Sequence, residues 1–111
     1  MNLDKAALQT LERYWCQREE FERQVAFLST VQNELSDSEL IRLRSMKFVT
    51  NAMKELYKNL DDSMKKIIDM RYQSDAFDWV EIADHLNCSR QKVLNKRIVC
   101  MKKLAEKIGF L

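Results

Sequence analysis

The chain has 111 residues, a net charge of +2, one glycine and no proline. Its 46% hydrophobic content excludes an intrinsically disordered chain, and its length limits it to one compact domain or a small domain with a helical arm. Because the turns of all-β folds normally need glycine and proline, their scarcity favours an all-α fold. With no apolar run of roughly 20 residues and no signal-peptide pattern, we expect a cytoplasmic protein without membrane contact.

Charge is unevenly distributed along the chain. Residues 1–59 carry nine basic and nine acidic side chains, and residues 60–84 carry three basic and seven acidic ones. Residues 85–111 carry seven basic side chains and one acidic side chain. Since each Lys or Arg contact to phosphate releases condensed counterions, a negatively charged polymer is the natural partner of this last segment.

Two helices are predicted in the first half of the chain, forming a helical hairpin over 1–59. Ser36 followed by Glu39 is a capping-box pattern, which predicts a second helix over 37–58 after a turn at 33–38. The first helix is predicted over 3–29, where apolar residues form a heptad-like stripe. Such a stripe can pack within the same fold, against a second copy of the chain or against a partner helix. The stripe consists of Ala7, Leu11, Tyr14, Phe21, Val25 and Leu28.

Three further helices are predicted in the second half, and they define a second domain over 60–111. The acidic residues Asp61 and Asp62 favour a helix start there, and a loop is expected at 73–77. Asp78 with Glu81 is a second capping pattern, which begins a short helix ending near residue 86. Ser89 is an N-cap candidate for a final helix over about 90–108 that ends at Gly109.

Residues 79–98 have the anatomy of a helix-turn-helix. Two helices that cross steeply need a small residue where their backbones approach, and Ala83 supplies it. Asn87 falls at a turn position that often needs a positive φ, which Asn tolerates better than most residues. The positions expected to face inward are Ile82, Leu86, Cys88 in the turn, and Val93.

The second helix of such a unit presents its N-terminal outward residues to the major groove of DNA. Arg can donate two hydrogen bonds to guanine, Gln and Asn can pair with adenine, and Ser or Lys can hold phosphate. A solvated polar helix face is the alternative interpretation. The candidate DNA-binding residues are Ser89, Arg90, Gln91, Lys92, Asn95, Lys96 and Arg97.

The apolar residues behind this face are expected to form the core. The final helix should pack on the third helix, whose inward residues are Ile67, Ile68 and Tyr72, while Phe77 and Trp79 seal the loop side. The cysteines Cys16, Cys88 and Cys100 are expected to be reduced and mostly buried. The contributing residues of the final helix are Ile98, Val99, Met101, Leu104, Ala105 and Ile108.

Neither an enzyme nor a metal or cofactor site is expected. His85 is the only histidine, and it falls on the first helix of the helix-turn-helix, where an exposed helix residue or a phosphate contact is the simpler interpretation. The acidic residues of 61–84 lack the calcium-loop pattern, and they fit helix caps, charge balance or a protein contact.

Residues 60–104 resemble the fourth region of sigma factors in three stretches: LDDSMKKIIDMRY, WVEIADHL and SRQKV followed by KKLA. The whole layout resembles the ArpU/RinA family of phage transcriptional regulators. This resemblance implies promoter-proximal DNA binding in a bacterial or phage-infected cell, activation of phage late genes, and contact with RNA polymerase. It carries over Arg90, Gln91, Lys92 and Asn95 as DNA readers.

A helical protein–protein module that binds RNA polymerase or another regulator without reading DNA is the alternative function. A homodimer on two half-sites and a monomer beside polymerase both fit the residues.

Overall fold

Six α-helices and one short 3-10 helix account for most of the chain in the computed structural model, which describes residues 3–73 and 76–109. No strand occurs in these residues, so the all-α prediction is confirmed. The predicted loop at 73–77 lies partly outside the described residues, at 74 and 75. The helices are α1 (Lys5–Cys16), α2 (Arg18–Thr30), the 3-10 helix Gln32–Glu34, α3 (Asp37–Lys58), α4 (Asp62–Tyr72), α5 (Trp79–His85) and α6 (Arg90–Lys107).

Side-chain caps set the starts of α3 to α6, as predicted. Ser36 and Glu39 form the reciprocal capping box of α3. Asp61 accepts a hydrogen bond from the backbone of α4, and Asp78 does the same for α5, both at 2.8 Å. Because the first four N–H groups of a helix have no partner within it, each cap satisfies a donor that would otherwise need water.

The single helix predicted over 3–29 is wrong, because the structure has two helices that meet at Gln17. This residue has φ −101° and ψ 12°, outside the helical region, yet its N–H still donates to the carbonyl of Arg13 at 2.9 Å. The physical reason is that the two halves pack on different partners. Leu11 and Trp15 of α1 enter the core, whereas α2 lies along α3, so the axis must turn between them.

The main core joins the first and last parts of the chain. It is built from α1, α3, α4 and α6, so contacts cross the predicted boundary at 59/60, and the division into two domains stays a prediction. Packing of the stripe residue Leu11 within this core agrees with the interpretation that the first segment packs on its own fold. The buried members are Leu11, Trp15, Met53, Leu56, Leu60, Ile68, Tyr72, Cys100, Met101, Leu104 and Ala105.

Four predictions of burial need correction. Val99 is 41% exposed, because the buried stripe of α6 runs through Cys100 and Leu104, and Val99 points about 100° away from Cys100. Cys16 is exposed at the last turn of α1, Cys88 is only partly buried, and Phe77 is 38% exposed.

Candidate nucleic-acid interface

A small second core holds α5 against α4 and α6. Ile82 and Val93 are fully buried in it, together with Ile67 of α4 and the small side chain of Ala83. The predicted inward positions of Ile82 and Val93 are therefore confirmed, and Ala83 is buried between them. Leu86 and Cys88, also predicted to face inward, lie at the edge of this cluster and are partly buried. The α5–α6 pair is consequently fixed to the rest of the fold through α4.

The turn between α5 and α6 is a Schellman motif around Asn87. The Cys88 N–H donates to the backbone carbonyl of Ala83 at 3.0 Å, and the Asn87 N–H donates to the backbone carbonyl of Asp84 at 3.2 Å. Asn87 has φ 54°, the left-handed conformation expected from the sequence. Ser89 then caps α6 by accepting from the N–H of Lys92 at 3.1 Å. These bonds fix the direction in which α6 leaves the turn.

Five of the seven candidate DNA-binding residues are exposed at the start of α6: Ser89, Arg90, Gln91, Lys92 and Asn95. The Gln91 amide donates to the side-chain oxygen of Asn95 at 3.0 Å, so the two side chains lie together on one face. The first turn of α6 contains no acidic residue. Arg90 and Lys92 thus lie at the positive end of the helix dipole, where an anion is favoured and a cation is not.

The other two candidates, Lys96 and Arg97, are partly buried and contact the fold itself. The Lys96 ammonium donates to the hydroxyl of Ser63 in α4. Arg97 donates to both carboxylate oxygens of Glu12 in α1, at 2.6 and 3.1 Å, and lies over the ring of Trp79 at 5.1 Å from its centroid. These two side chains therefore anchor α6 on the side next to the exposed polar face.

Glu12 is the residue of this region that sequence reasoning missed. It also accepts a hydrogen bond from the hydroxyl of Tyr72 at 2.6 Å, and burial together with this carboxylate raises the pKa of Tyr72 well above its ordinary value. Leu8 and Trp15 lie one helical turn before and after Glu12, which is the signal that could have predicted partial burial. Glu12 and Arg97 are 85 positions apart in the sequence, so no local pattern could reveal the pair.

The structure also bears on the residues that enzymes, metal-binding proteins and membrane proteins would need. His85 is exposed at the end of α5. No group of three or more metal-binding side chains occurs among residues 3–73 and 76–109. None of the described helices is both long and apolar enough to cross a membrane.

These observations define a small all-α protein in which α6, the second helix of the packed α5–α6 pair, exposes a polar and basic face directly after the connecting turn. The chain belongs to the family described as "Protein of unknown function (DUF722)", whose model matches residues 11–106. No curated protein and no solved structure matches the chain.

Proposed function

We propose that the chain is a sequence-specific double-stranded DNA-binding regulator of transcription, and that the first two turns of α6 read the bases. The observation that carries this proposal is the joint exposure of Arg90, Gln91 and Asn95 directly after the α5–α6 turn. An Arg side chain fits the two acceptors of guanine, and Gln or Asn fits the donor and acceptor of adenine. In this proposal Ser89 and Lys92, which are exposed beside them, hold the adjacent phosphates.

Electrostatics support the same proposal. Arg90 and Lys92 lie in the first turn of α6, which contains no acidic residue. A phosphate bound there would interact favourably with the positive end of the helix dipole and with both cationic side chains. Residues 85–111 as a whole carry seven basic side chains and one acidic one. A duplex held against this segment releases counterions, and that release favours binding at low salt.

The tertiary contacts of Lys96 and Arg97 narrow the proposed reading face to five residues. Arg97 is assigned to positioning α6, since its guanidinium is paired with Glu12. Lys96 can reach a phosphate only by leaving the hydroxyl of Ser63. The proposed reading face therefore comprises Ser89 and Arg90 at the helix start, together with the side of α6 that Gln91, Lys92 and Asn95 share.

The biological context of the proposal rests on resemblance. The similarity of residues 60–104 to the fourth region of sigma factors, and of the layout to ArpU/RinA-type regulators, supports a phage or prophage late-gene activator that acts at promoters. Contact with RNA polymerase is part of the same proposal.

Selection of bound sites from random duplex DNA tests this function. We expect an enriched sequence for the native chain and loss of that enrichment for Arg90→Ala, with unchanged thermal stability, because Arg90 is exposed. Arg13→Ala, which removes an exposed arginine of α1, is the matched control and should keep the enrichment. Failure of the native chain to bind any duplex at low salt contradicts the proposal.

A second candidate function is favoured by exposed apolar side chains near the α5–α6 unit. Phe77 and Val80 are 38% and 54% exposed, which suits a helical module that binds RNA polymerase or another regulator without reading DNA. Val80→Ser would then abolish partner binding and leave any duplex binding unchanged. If α6 reads DNA, Arg90→Ala should instead weaken duplex binding and leave partner binding unchanged.

A further inference from the structure

The outer face of α3 exposes two large apolar side chains in register. Ile41 is 63% exposed and Phe48 is 56% exposed. They are seven positions apart, which is close to two helical turns, so they lie on one face of the helix. Leu43 and Thr50, which are buried, lie on the opposite face. This outer face is therefore left uncovered by the rest of the described chain.

Small side chains lie beside the two large ones. At 100° per residue, Ser45 and Ala52 fall within about 60° of Phe48 around the helix axis. Ser45 is exposed, so a second helix can approach α3 closely over this small side chain next to Phe48, whereas Ala52 is partly buried and packs against the main core. α3 has 22 residues, so at about 1.5 Å per residue the face is long enough for three heptads of contact.

We propose that this face of α3 binds the same face of a second copy of the chain, forming an antiparallel two-fold dimer. The partner is argued from charge complementarity. Asp37, Arg44, Glu55 and Lys58 all lie on one flank of the face that contains Phe48. A two-fold axis through Phe48 brings this flank against the same flank of the second copy, running in the opposite direction.

Opposite charges then meet across the axis. Asp37 of one copy lies level with Lys58 of the other, and Arg44 lies within one helical turn of Glu55 of the other. Each pair occurs twice by symmetry, so the acidic start of α3 faces its basic end. A parallel pair would instead place the charged flank against Ser45 and Ala52, where it meets no opposite charge.

Contacts within one copy leave these groups available. Among the residues that the structure describes, the Glu55 carboxylate contacts the Lys107 ammonium at 3.5 Å, and the Glu55 side chain is 68% exposed. Arg44 and Asp37 are exposed as well. The apolar stripe of the first segment is a poorer dimer contact, because Leu11 is fully buried inside the fold. The inference concerns assembly and does not depend on the proposed DNA binding.

Sedimentation equilibrium of the full chain tests the apolar part of the interface. We expect the native chain to be a dimer at about 100 µM, and Ile41→Ser with Phe48→Ser to weaken the dimer by about 10-fold or more. Val99→Ser, which changes an exposed apolar residue of α6, is the matched control and should leave the dimer intact. Far-UV circular dichroism checks that each variant keeps its helices. A native chain that is monomeric at this concentration overturns the inference.

A charge exchange tests the antiparallel register. Arg44→Glu and Glu55→Arg should each weaken the dimer, and the double variant should restore it, because the pair is reversed in both copies. Lys107→Ala removes the intramolecular contact of Glu55 and should leave the dimer unchanged. A double variant that is weaker than both single variants overturns the register and the two-fold arrangement with it.

Discussion

The carboxylate of Glu12 in α1 contacts the guanidinium of Arg97 in α6 through two hydrogen bonds, at 2.6 and 3.1 Å. Only 18% and 20% of the two side chains are exposed. Tyr72 of α4 donates to the same carboxylate at 2.6 Å, so one acidic side chain joins three helices. The orientation of α6 thus depends on a residue near the start of the chain.

Loss of the charge on Glu12 should destabilise the fold. In Glu12→Gln the partly buried Arg97 loses its counter-charge, and we expect the free energy of unfolding to fall by about 2 kcal/mol. Urea denaturation measures this change. Glu20→Gln removes the exposed partner of Arg23 and is the matched control, which should unfold at the same urea concentration as the native chain. Equal effects of the two variants would contradict a stabilising role for the Glu12–Arg97 pair.

Alkaline pH should also destabilise the protein, in part through Cys100. Burial raises the pKa of its thiol from 9.0 to about 11. The folded state therefore keeps this proton to higher pH than the unfolded state, so the stabilisation is full below pH 9 and is lost as the pH rises toward 11. We expect this group to lower the free energy of unfolding by roughly 1–2 kcal/mol over that interval.

Urea titrations of the native chain and Cys100→Ala across that pH range measure the contribution. The pKa values of Tyr57 and Tyr72 are raised too, chiefly by burial, so both proteins should lose stability at high pH. The native chain should lose more than the variant. Parallel curves for the two proteins would argue against a shifted thiol at Cys100.

Local chemistry was sufficient to predict where four of the helices start. Each start depends on a short polar side chain and an N–H group three positions later, both visible in the sequence: Ser36, Asp61, Asp78 and Ser89 each accept such a bond. The left-handed turn at Asn87 was predictable for the same reason. These features depend on neighbours within a few residues.

Features that depend on distant residues could not be predicted. The bend at Gln17 arises because α1 joins the core while α2 packs on α3, and no glycine or proline marks the position. Arginine is a residue type that commonly contacts DNA. The guanidinium of Arg97, however, contacts Glu12 and Trp79, which come from distant parts of the sequence. The sequence was enough to predict the helix that carries the candidate DNA-binding residues and the exposure of its first turn. Only the tertiary contacts showed that two of the candidates, Lys96 and Arg97, bind other parts of the fold.

Substitution at Asn87 should test the geometry of the α5–α6 turn. Its φ of 54° is strained for residues with a β-carbon other than Asn or Asp, so Asn87→Ala should lower the free energy of unfolding by about 1 kcal/mol. Asn87→Gly should be neutral or stabilising, because glycine adopts this conformation readily. Thermal unfolding measures both. Asn51→Ala, at an exposed position of α3, should leave the melting temperature unchanged or raise it.

The salt dependence of duplex binding tests the proposed phosphate contacts of α6. Lys92 is exposed in the first turn of α6, so in Lys92→Ala the plot of log affinity against log salt should become shallower by about 0.9. Affinity should fall by a similar factor on every duplex, since a phosphate contact carries no base information. Lys54→Ala removes an exposed lysine of α3 and should keep the native slope. If the two substitutions change the slope equally, binding depends on overall charge, and Lys92 makes no specific contact with the phosphate backbone of DNA.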